Sequence, residues 1–108
     1  METKTNVVLV HGAWADGSSW SRVIPLLQKK GLSVVAAQLS LTSIDADVGV
    51  TKNLLAALTG PVVLVGHSYG VVVIFHPPDG RWNHHQLLFI GEQHRHEHLF
   101  ARSQSSRP

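Results

Sequence analysis

The sequence predicts an α/β fold, a three-layer sandwich with a parallel sheet between two layers of helices. Three short apolar runs, at residues 6–10, 32–39 and 62–65, alternate with two segments whose apolar residues recur at helical spacing. A helix between consecutive strands returns the chain to the same end of the sheet, so the strands pair in parallel. Such crossovers are almost always right-handed, and we expect helices on both faces.

The three apolar runs have the composition of buried strands. The first, Asn6-Val-Val-Leu-Val10, is rich in β-branched residues and lies between polar residues and a glycine. A continuous apolar run of this kind is typical of a parallel strand that is covered on both faces. The third run leads directly into a glycine-rich turn.

The two helical segments begin and end at recognisable signals. We expect Ser18, Ser19 or Ser21 to cap the first helix, and Asp45 or Asp47 to cap the second. The first helix ends at a basic turn followed by glycine, and the glycine and proline at residues 60–61 stop the second.

Length, composition and charge limit the classes of protein. The chain has 108 residues, 44% of them hydrophobic and 15% charged, which fits one soluble globular domain. A formal net charge of +2 is too small to indicate a nucleic-acid partner. The absence of cysteine excludes disulfides and thiolate chemistry. We find neither the run of roughly 20 apolar residues of a membrane span nor a signal peptide, and expect a cytoplasmic protein with no membrane partner.

The pentapeptide Gly66-His-Ser-Tyr-Gly70 carries the clearest chemical signal. A turn this tight between strand and helix forces its central residue into a strained conformation, and the two glycines remove Cβ atoms that would collide. Gly-x-Ser-x-Gly in this position predicts a nucleophile elbow, with Ser68 exposed at the top of the sheet. The backbone N–H of Tyr69 is then the first donor of an oxyanion hole.

The loop after the first strand reads His11-Gly-Ala-Trp14 and ends at the same edge of the sheet. Parallel sheets collect their sites outside the carboxyl ends of the strands, so we expect this loop to face the elbow. Gly12 lets the backbone approach closely, and Ala13 is the predicted second oxyanion donor, with Trp14 as the alternative. The side chains of His11, Trp14 and His67 are predicted to line the pocket or to pack beneath it.

With these two motifs the chain resembles the α/β-hydrolase superfamily, and within it the small single-domain esterases with a His-Gly-Ala-Trp loop and a Gly-His-Ser-Tyr-Gly elbow. The resemblance covers residues 6–70. It implies a serine hydrolase of small carboxylic esters, in which Ser68 forms an acyl-enzyme that water then hydrolyses. This chemistry requires no cofactor, and its partner is a small-molecule ester. Some relatives on this fold catalyse lyase or peroxidase-like reactions instead.

After Gly70 the sequence departs from the family pattern. Residues 71–75 leave less than two turns of helix before two consecutive prolines, and six of the eight histidines fall at or after His76. We divide the chain into residues 1–75, the N-terminal half of a hydrolase domain, and residues 76–108, a divergent tail whose composition is compatible with disorder. We interpret the whole as a truncated α/β-hydrolase fold followed by unrelated or frame-shifted sequence, in which residues 86–90 have the pattern of a short strand.

In the family order, the acid and the histidine of the triad follow the serine. The acids available there are Asp79, Glu92 and Glu97, and the histidines are His84, His85, His94, His96 and His98. None lies in a recognisable motif, so the acid and the base are unassigned.

Other functions compete with this interpretation. Residues 12–19 approach the phosphate-binding pattern G-x-x-x-x-G-K-S, but Ser18 stands where lysine must reach the phosphates. The alternating His94, His96 and His98 would share one face of a strand and could bind zinc or nickel, although such tails are more often solvated; we predict no metal site. A catalytically incomplete fragment would act as a binding or interaction module, self-associating through an exposed sheet edge.

Overall fold

A computed structural model describes residues 4–12, 20–82, 84, 86–92 and 99–105. Within these residues the strands are β1 (Asn6–Val10), β2 (Ser33–Ala36), β3 (Val62–His67), β4 (Gln86–Glu92) and β5 (Leu99–Ser105). The helices are α1 (Val23–Lys29), α2 (Ile44–Ala56) and α3 (Tyr69–Ile74), and a short 3₁₀ turn occupies Pro78–Gly80.

The strands form one sheet in the order β2-β1-β3-β4-β5. β1 pairs in parallel with β2 and β3, and β3 pairs in parallel with β4. β5 is antiparallel to β4, so β2 and β5 are the two outer strands of this sheet. The mostly parallel sheet confirms the predicted α/β class.

The strand order determines where the helices lie. The crossover through α1 leads from β1 outward to β2, whereas the crossover through α2 leads back past β1 to β3. Right-handed crossovers in opposite directions lie on opposite faces, so α1 and α2 form the two outer layers. α3 leads onward in the same direction as α2 and packs against it. The order reverses between β1 and β3, and in sheets of this kind sites usually lie outside the carboxyl ends of the strands at such a reversal.

The main core lies between the sheet and the layer formed by α2 and α3. All five residues of β1 are buried, which explains the unbroken apolar sequence from Val7 to Val10. Alternate residues of β3 are buried, and Leu55 of α2 and Ile74 of α3 pack into the same cluster. Burial of each such aliphatic side chain stabilises the fold by about 1.5–3 kcal/mol. α1 contributes no buried residue.

The predicted cap of α2 is wrong by a few residues. The helix begins after Ser43, whose extended backbone lets its hydroxyl accept a hydrogen bond from the N–H of Ala46 at 3.0 Å. Asp45 and Asp47 lie within the first turn instead. Asp47 is fully buried, and its carboxylate has other partners, described below.

The predicted cap of α1 is not found in the described residues. α1 begins after Arg22, which makes no side-chain capping bond, so Ser21 is not the cap. Ser18 and Ser19 lie outside the described residues. Gly31 follows the helix with a φ of 85°, a left-handed conformation that glycine adopts without strain.

The chain beyond α3 packs against the sheet through Trp82. This side chain is buried, and its indole N–H donates to the carbonyl oxygen of Ile74 at 2.9 Å. The side-chain amide of Gln104 in β5 donates to the carbonyl oxygens of Trp82 and His84, at 3.0 and 2.9 Å. Its oxygen accepts from the N–H of Trp82 at 3.3 Å. These bonds connect the outermost strand to the segment that precedes β4.

The last two strands differ in how far the sequence predicts them. The strand expected at residues 86–90 is present and extends to Glu92. β5, which reads Leu-Phe-Ala-Arg-Ser-Gln-Ser, is not predicted, because its polar residues are those of a solvated tail. Pairing with β4 and the Gln104 bonds decide its conformation.

Candidate active site

The strained residue expected at the elbow is Ser68. Its φ of 56° and ψ of −116° lie in a region that residues with a Cβ rarely adopt. β3 ends at His67 and α3 begins at Tyr69, so the strand becomes a helix across this single residue. Such strain persists only where the surroundings enforce it, and it turns the serine away from both elements.

The two elbow glycines are enforced by backbone contacts. A Cβ on Gly66 would lie 2.6 Å from the carbonyl oxygen of Gly70. A Cβ on Gly70 would overlap the carbonyl oxygen of Val10, at the end of β1. The start of α3 therefore packs directly against the backbones of β1 and β3, and only glycine fits at residues 66 and 70.

The loop after β1 approaches the elbow as expected. A Cβ on Gly12 would lie 3.4 Å from both the Cβ of Ser68 and the carbonyl oxygen of His67, and 3.7 Å from Nδ1 of His67. Gly12 is buried, so the loop after β1 packs against the elbow at this position. Ala13 and Trp14, the predicted second oxyanion donor and its alternative, lie outside the described residues.

His11 is fully buried, and both of its ring nitrogens are engaged by backbone groups. Nε2 accepts a hydrogen bond from the N–H of Leu39 at 3.0 Å. The proton of the neutral ring therefore resides on Nδ1, which donates to the carbonyl oxygen of Gly12 at 2.8 Å. The imidazole joins the loop after β1 to the segment after β2.

Tyr69 places its backbone and its side chain in different environments. As the first residue of α3, it has an N–H with no acceptor within the helix, as an oxyanion donor requires. Its phenol turns beneath the neighbouring segment and donates to Oδ2 of Asp47 at 2.7 Å. Burial, followed by the hydrogen bond to Asp47 and the negative charge of that residue, raises the pKa of Tyr69 to about 12.

Asp47 is the acceptor in a dense set of hydrogen bonds. Oδ1 accepts from the N–H groups of Ser40 and Leu41, at 2.9 and 3.0 Å, and from the hydroxyl of Ser40 at 3.2 Å. Burial acts to raise the pKa of Asp47, but the hydrogen bonds from Tyr69, Leu41 and Ser40 outweigh it and hold the pKa below its usual range. The group is an ionised carboxylate at neutral pH.

The described part of the chain brings one candidate acid to the correct edge of the sheet. The backbone of Glu92 pairs with His67, at the carboxyl end of the strand next to the elbow. His84 precedes β4 and is therefore at the opposite end of this seven-residue strand, about 20 Å away. Of the remaining candidates, His85, His94, His96, His98 and Glu97 lie outside the described residues, as does the side chain of Asp79.

Two further properties concern ligands and membranes. Among the described residues no three histidine or carboxylate side chains are grouped so that they could hold a metal ion. No helix found there is both long and apolar enough to cross a bilayer.

Sequence reasoning missed the hydrogen bond between Asp47 and Tyr69. The signal was available, because Asp47, Thr51 and Leu55 follow one another at intervals of four and share the buried face of α2. A carboxylate on the apolar stripe of a helix requires a buried partner. The pattern of acidic residues near a helix start favoured the simpler interpretation of a cap.

Comparison with known proteins agrees with this architecture. A sequence model described as "Alpha/beta hydrolase family" matches residues 7–100. A pyrethroid hydrolase of Sphingobium wenxiniae is 30% identical over 79 residues, which cover 63% of this chain and 28% of that protein. Methylesterase 3 of Arabidopsis thaliana is 36% identical over 83 residues, 64% of this chain and 32% of that protein.

A solved structure shows the same arrangement. The crystal structure of a pyrethroid hydrolase from Sphingobium faniae JZ-2 matches with a TM-score of 0.60 and 30% identity, over 67% of this chain and 33% of that chain. The present chain thus spans about a third of the length of these relatives.

Proposed function

Because this chain belongs to the alpha/beta hydrolase family, we propose that it carries the nucleophile of a serine hydrolase that acts on small carboxylic esters, with Ser68 as that nucleophile. The observation that supports this most strongly is the φ of 56° at Ser68, between two glycines that no larger residue can replace. Strain of this kind has no structural benefit, and it is typical of a residue that must project from a turn. The relatives include a pyrethroid hydrolase and methylesterases, and the second of these names denotes ester cleavage.

The proposed reaction begins with attack of Oγ of Ser68 on the ester carbonyl carbon. The Oγ–C bond forms, the hydroxyl proton passes to a general base, and the carbonyl oxygen becomes an oxyanion. The N–H of Tyr69 is the first donor to this oxyanion and the N–H of Ala13 the second; the contact of Gly12 with the elbow supports a donor from that loop. The alcohol then leaves with a proton, and water hydrolyses the acyl-enzyme.

The acid and the base of this reaction remain predictions. Glu92 is the candidate acid that the strand register favours, because its backbone lies beside that of His67. His84 is disfavoured by its position at the far end of β4. His11 is disfavoured as a base, because both of its nitrogens already serve backbone partners.

Cofactors, macromolecular partners and self-association complete the proposed function. We propose no cofactor, since acyl transfer by serine requires none, and no nucleic-acid or membrane partner. Self-association would use an outer strand, β2 or β5, whose outward backbone groups can pair with a second chain. The cytoplasmic location stays a prediction.

Labelling of Ser68 by a fluorophosphonate probe tests the proposed function, with p-nitrophenyl acetate hydrolysis followed in parallel. We expect the wild-type chain and Ser103→Ala, which alters an exposed serine of β5, to be labelled and to hydrolyse the ester, and Ser68→Ala to do neither. A wild-type chain that is folded by circular dichroism yet neither reacts nor hydrolyses would overturn the proposal. The chain would then have the hydrolase fold without the activity.

A further inference from the structure

The carboxylate of Asp47 lies in a position that is costly for a charge. Its side chain is fully buried, and the helix that carries it already has a cap in Ser43. A buried charge is retained only where it is paired or fully hydrogen-bonded, and Asp47 meets this condition with four bonds. Capping of α2 therefore does not account for a carboxylate at this position. The reason for it must lie in the groups to which Asp47 is hydrogen-bonded.

Those partners belong to two segments at the carboxyl end of the sheet. One oxygen of Asp47 holds residues 40–41, which follow β2, and the other holds the phenol of Tyr69, next to the nucleophile. Leu41 has a φ of 61°, so this segment is itself in an unusual conformation that its hydrogen bonds maintain. Asp47 thus links the unusual backbone at Leu41 to the residue that follows the strained Ser68.

The same segment is also bonded to the other wall of the site. The N–H of Leu39 donates to His11, and His11 donates to the carbonyl oxygen of Gly12, whose backbone lies beside the elbow. The consecutive N–H groups of residues 39, 40 and 41 are therefore all held by two buried side chains. The loop after β1 and the start of α3, which would each supply one oxyanion donor, are joined through this one segment.

We propose that Asp47 is a positioning residue of the active site, which fixes the orientation of the elbow through the phenol of Tyr69. The inference rests on the proposed function of Ser68. The phenol and the N–H of Tyr69 belong to the same residue, so holding the phenol restricts rotation of the peptide that would face the oxyanion. Small misplacements of such donors lower reaction rates by up to about 100-fold.

The experiment compares Tyr69→Phe and Asp47→Asn with the wild-type chain in the second-order rate of fluorophosphonate labelling. Tyr69→Phe removes one hydroxyl and keeps the ring and the backbone N–H. We expect about tenfold slower labelling in both variants, measured where circular dichroism shows each chain folded. Ser43→Ala is the matched control, because it removes only the hydroxyl that caps the same helix and leaves the side-chain bonds of Asp47 and Tyr69 in place, and its rate should equal the wild-type rate.

A spectroscopic readout tests the Asp47–Tyr69 bond by itself. Tyr69 is the only tyrosine in the sequence, so the near-ultraviolet absorbance of tyrosinate reports this residue alone. We expect a titration midpoint at about 12 in the wild-type chain, and a midpoint closer to the ordinary value of about 10 in Asp47→Asn. Equal midpoints in two folded chains would overturn the inference, since Asp47 would then not hold the phenol.

The labelling results separate this inference from the proposed function. Absence of labelling in the wild-type chain overturns the proposed function. Labelling of the wild-type chain with an unchanged rate in Tyr69→Phe overturns only the positioning role, because the phenol would then be structural. If Asp47→Asn fails to fold, the rate of Tyr69→Phe still decides the matter.

Discussion

Replacing Gly70 by alanine tests whether the elbow is held directly against the sheet. The added Cβ would overlap the carbonyl oxygen of Val10 and lie 2.9 Å from its carbonyl carbon. Val10 ends β1, which pairs with a strand on each side, so its backbone cannot withdraw without disturbing the centre of the sheet. We therefore expect Gly70→Ala to be strongly destabilising.

The magnitude follows from the nature of the obstacle. Overpacking a core by a methyl group costs about 1–3 kcal/mol when side chains can adjust. Here the obstacle is backbone, so we expect a loss of about 3 kcal/mol or more in the free energy of unfolding. Since a small domain has about 5–15 kcal/mol in total, this is a large fraction of its stability. With a urea m-value of about 1–3 kcal/mol/M, the midpoint would fall by about 1–3 M.

Gly49→Ala provides the matched control. Gly49 lies inside α2, and a Cβ there would meet no atom within 4 Å. Alanine is favoured over glycine inside a helix by about 0.5–1 kcal/mol, so this variant should be stabilised by that amount. Urea titrations of the three chains, followed by circular dichroism, make the comparison. If the free energy of unfolding of Gly70→Ala lay within about 0.5 kcal/mol of the wild-type value, the close contact between Gly70 and Val10 would be refuted.

Three further predictions concern the elbow, the outer strand and the pH dependence of stability. Ser68→Gly should abolish labelling and raise the melting temperature by a few degrees. Relief of about 1–3 kcal/mol of backbone strain exceeds the conformational entropy that glycine adds to the unfolded chain. A lower melting temperature would contradict the strain. Gln104→Ala should cost about 2 kcal/mol in urea unfolding, since it removes three hydrogen bonds, whereas Ser103→Ala on the exposed surface should cost about 0.5 kcal/mol or less; equal midpoints would mean that β5 unfolds separately. Asp47 has a lowered pKa when folded, so its stabilisation is complete above its unfolded value of about 3.9 and is lost as pH falls through the folded value. As the pH is lowered from 6 to 2, the free energy of unfolding should therefore fall less steeply in Asp47→Asn than in the wild-type chain. Each unit by which folding lowers the pKa corresponds to about 1.4 kcal/mol of this difference.

The sequence by itself determined the parallel core of the fold and the position of the nucleophile. Short β-branched runs that lie between turn signals are typical of strands in a parallel sheet, and the helical segments between them require parallel pairing. The glycines around Ser68 mark two positions at which a Cβ would collide with neighbouring backbone, so the elbow is encoded within five residues. Such signals are local, which is why a single sequence reveals them.

Only the tertiary structure decided the features that depend on residues far apart in the chain. Asp47 and Tyr69 are 22 residues apart, and their hydrogen bond exists because α2 and α3 cover the same face of the sheet. β5 becomes a strand because β4 offers it an edge and Gln104 finds partners before β4, although its own residues resemble a solvated tail. The sequence can show that Asp47 needs a buried partner, but it cannot show which residue that partner is, because only the folded chain brings the two groups within reach.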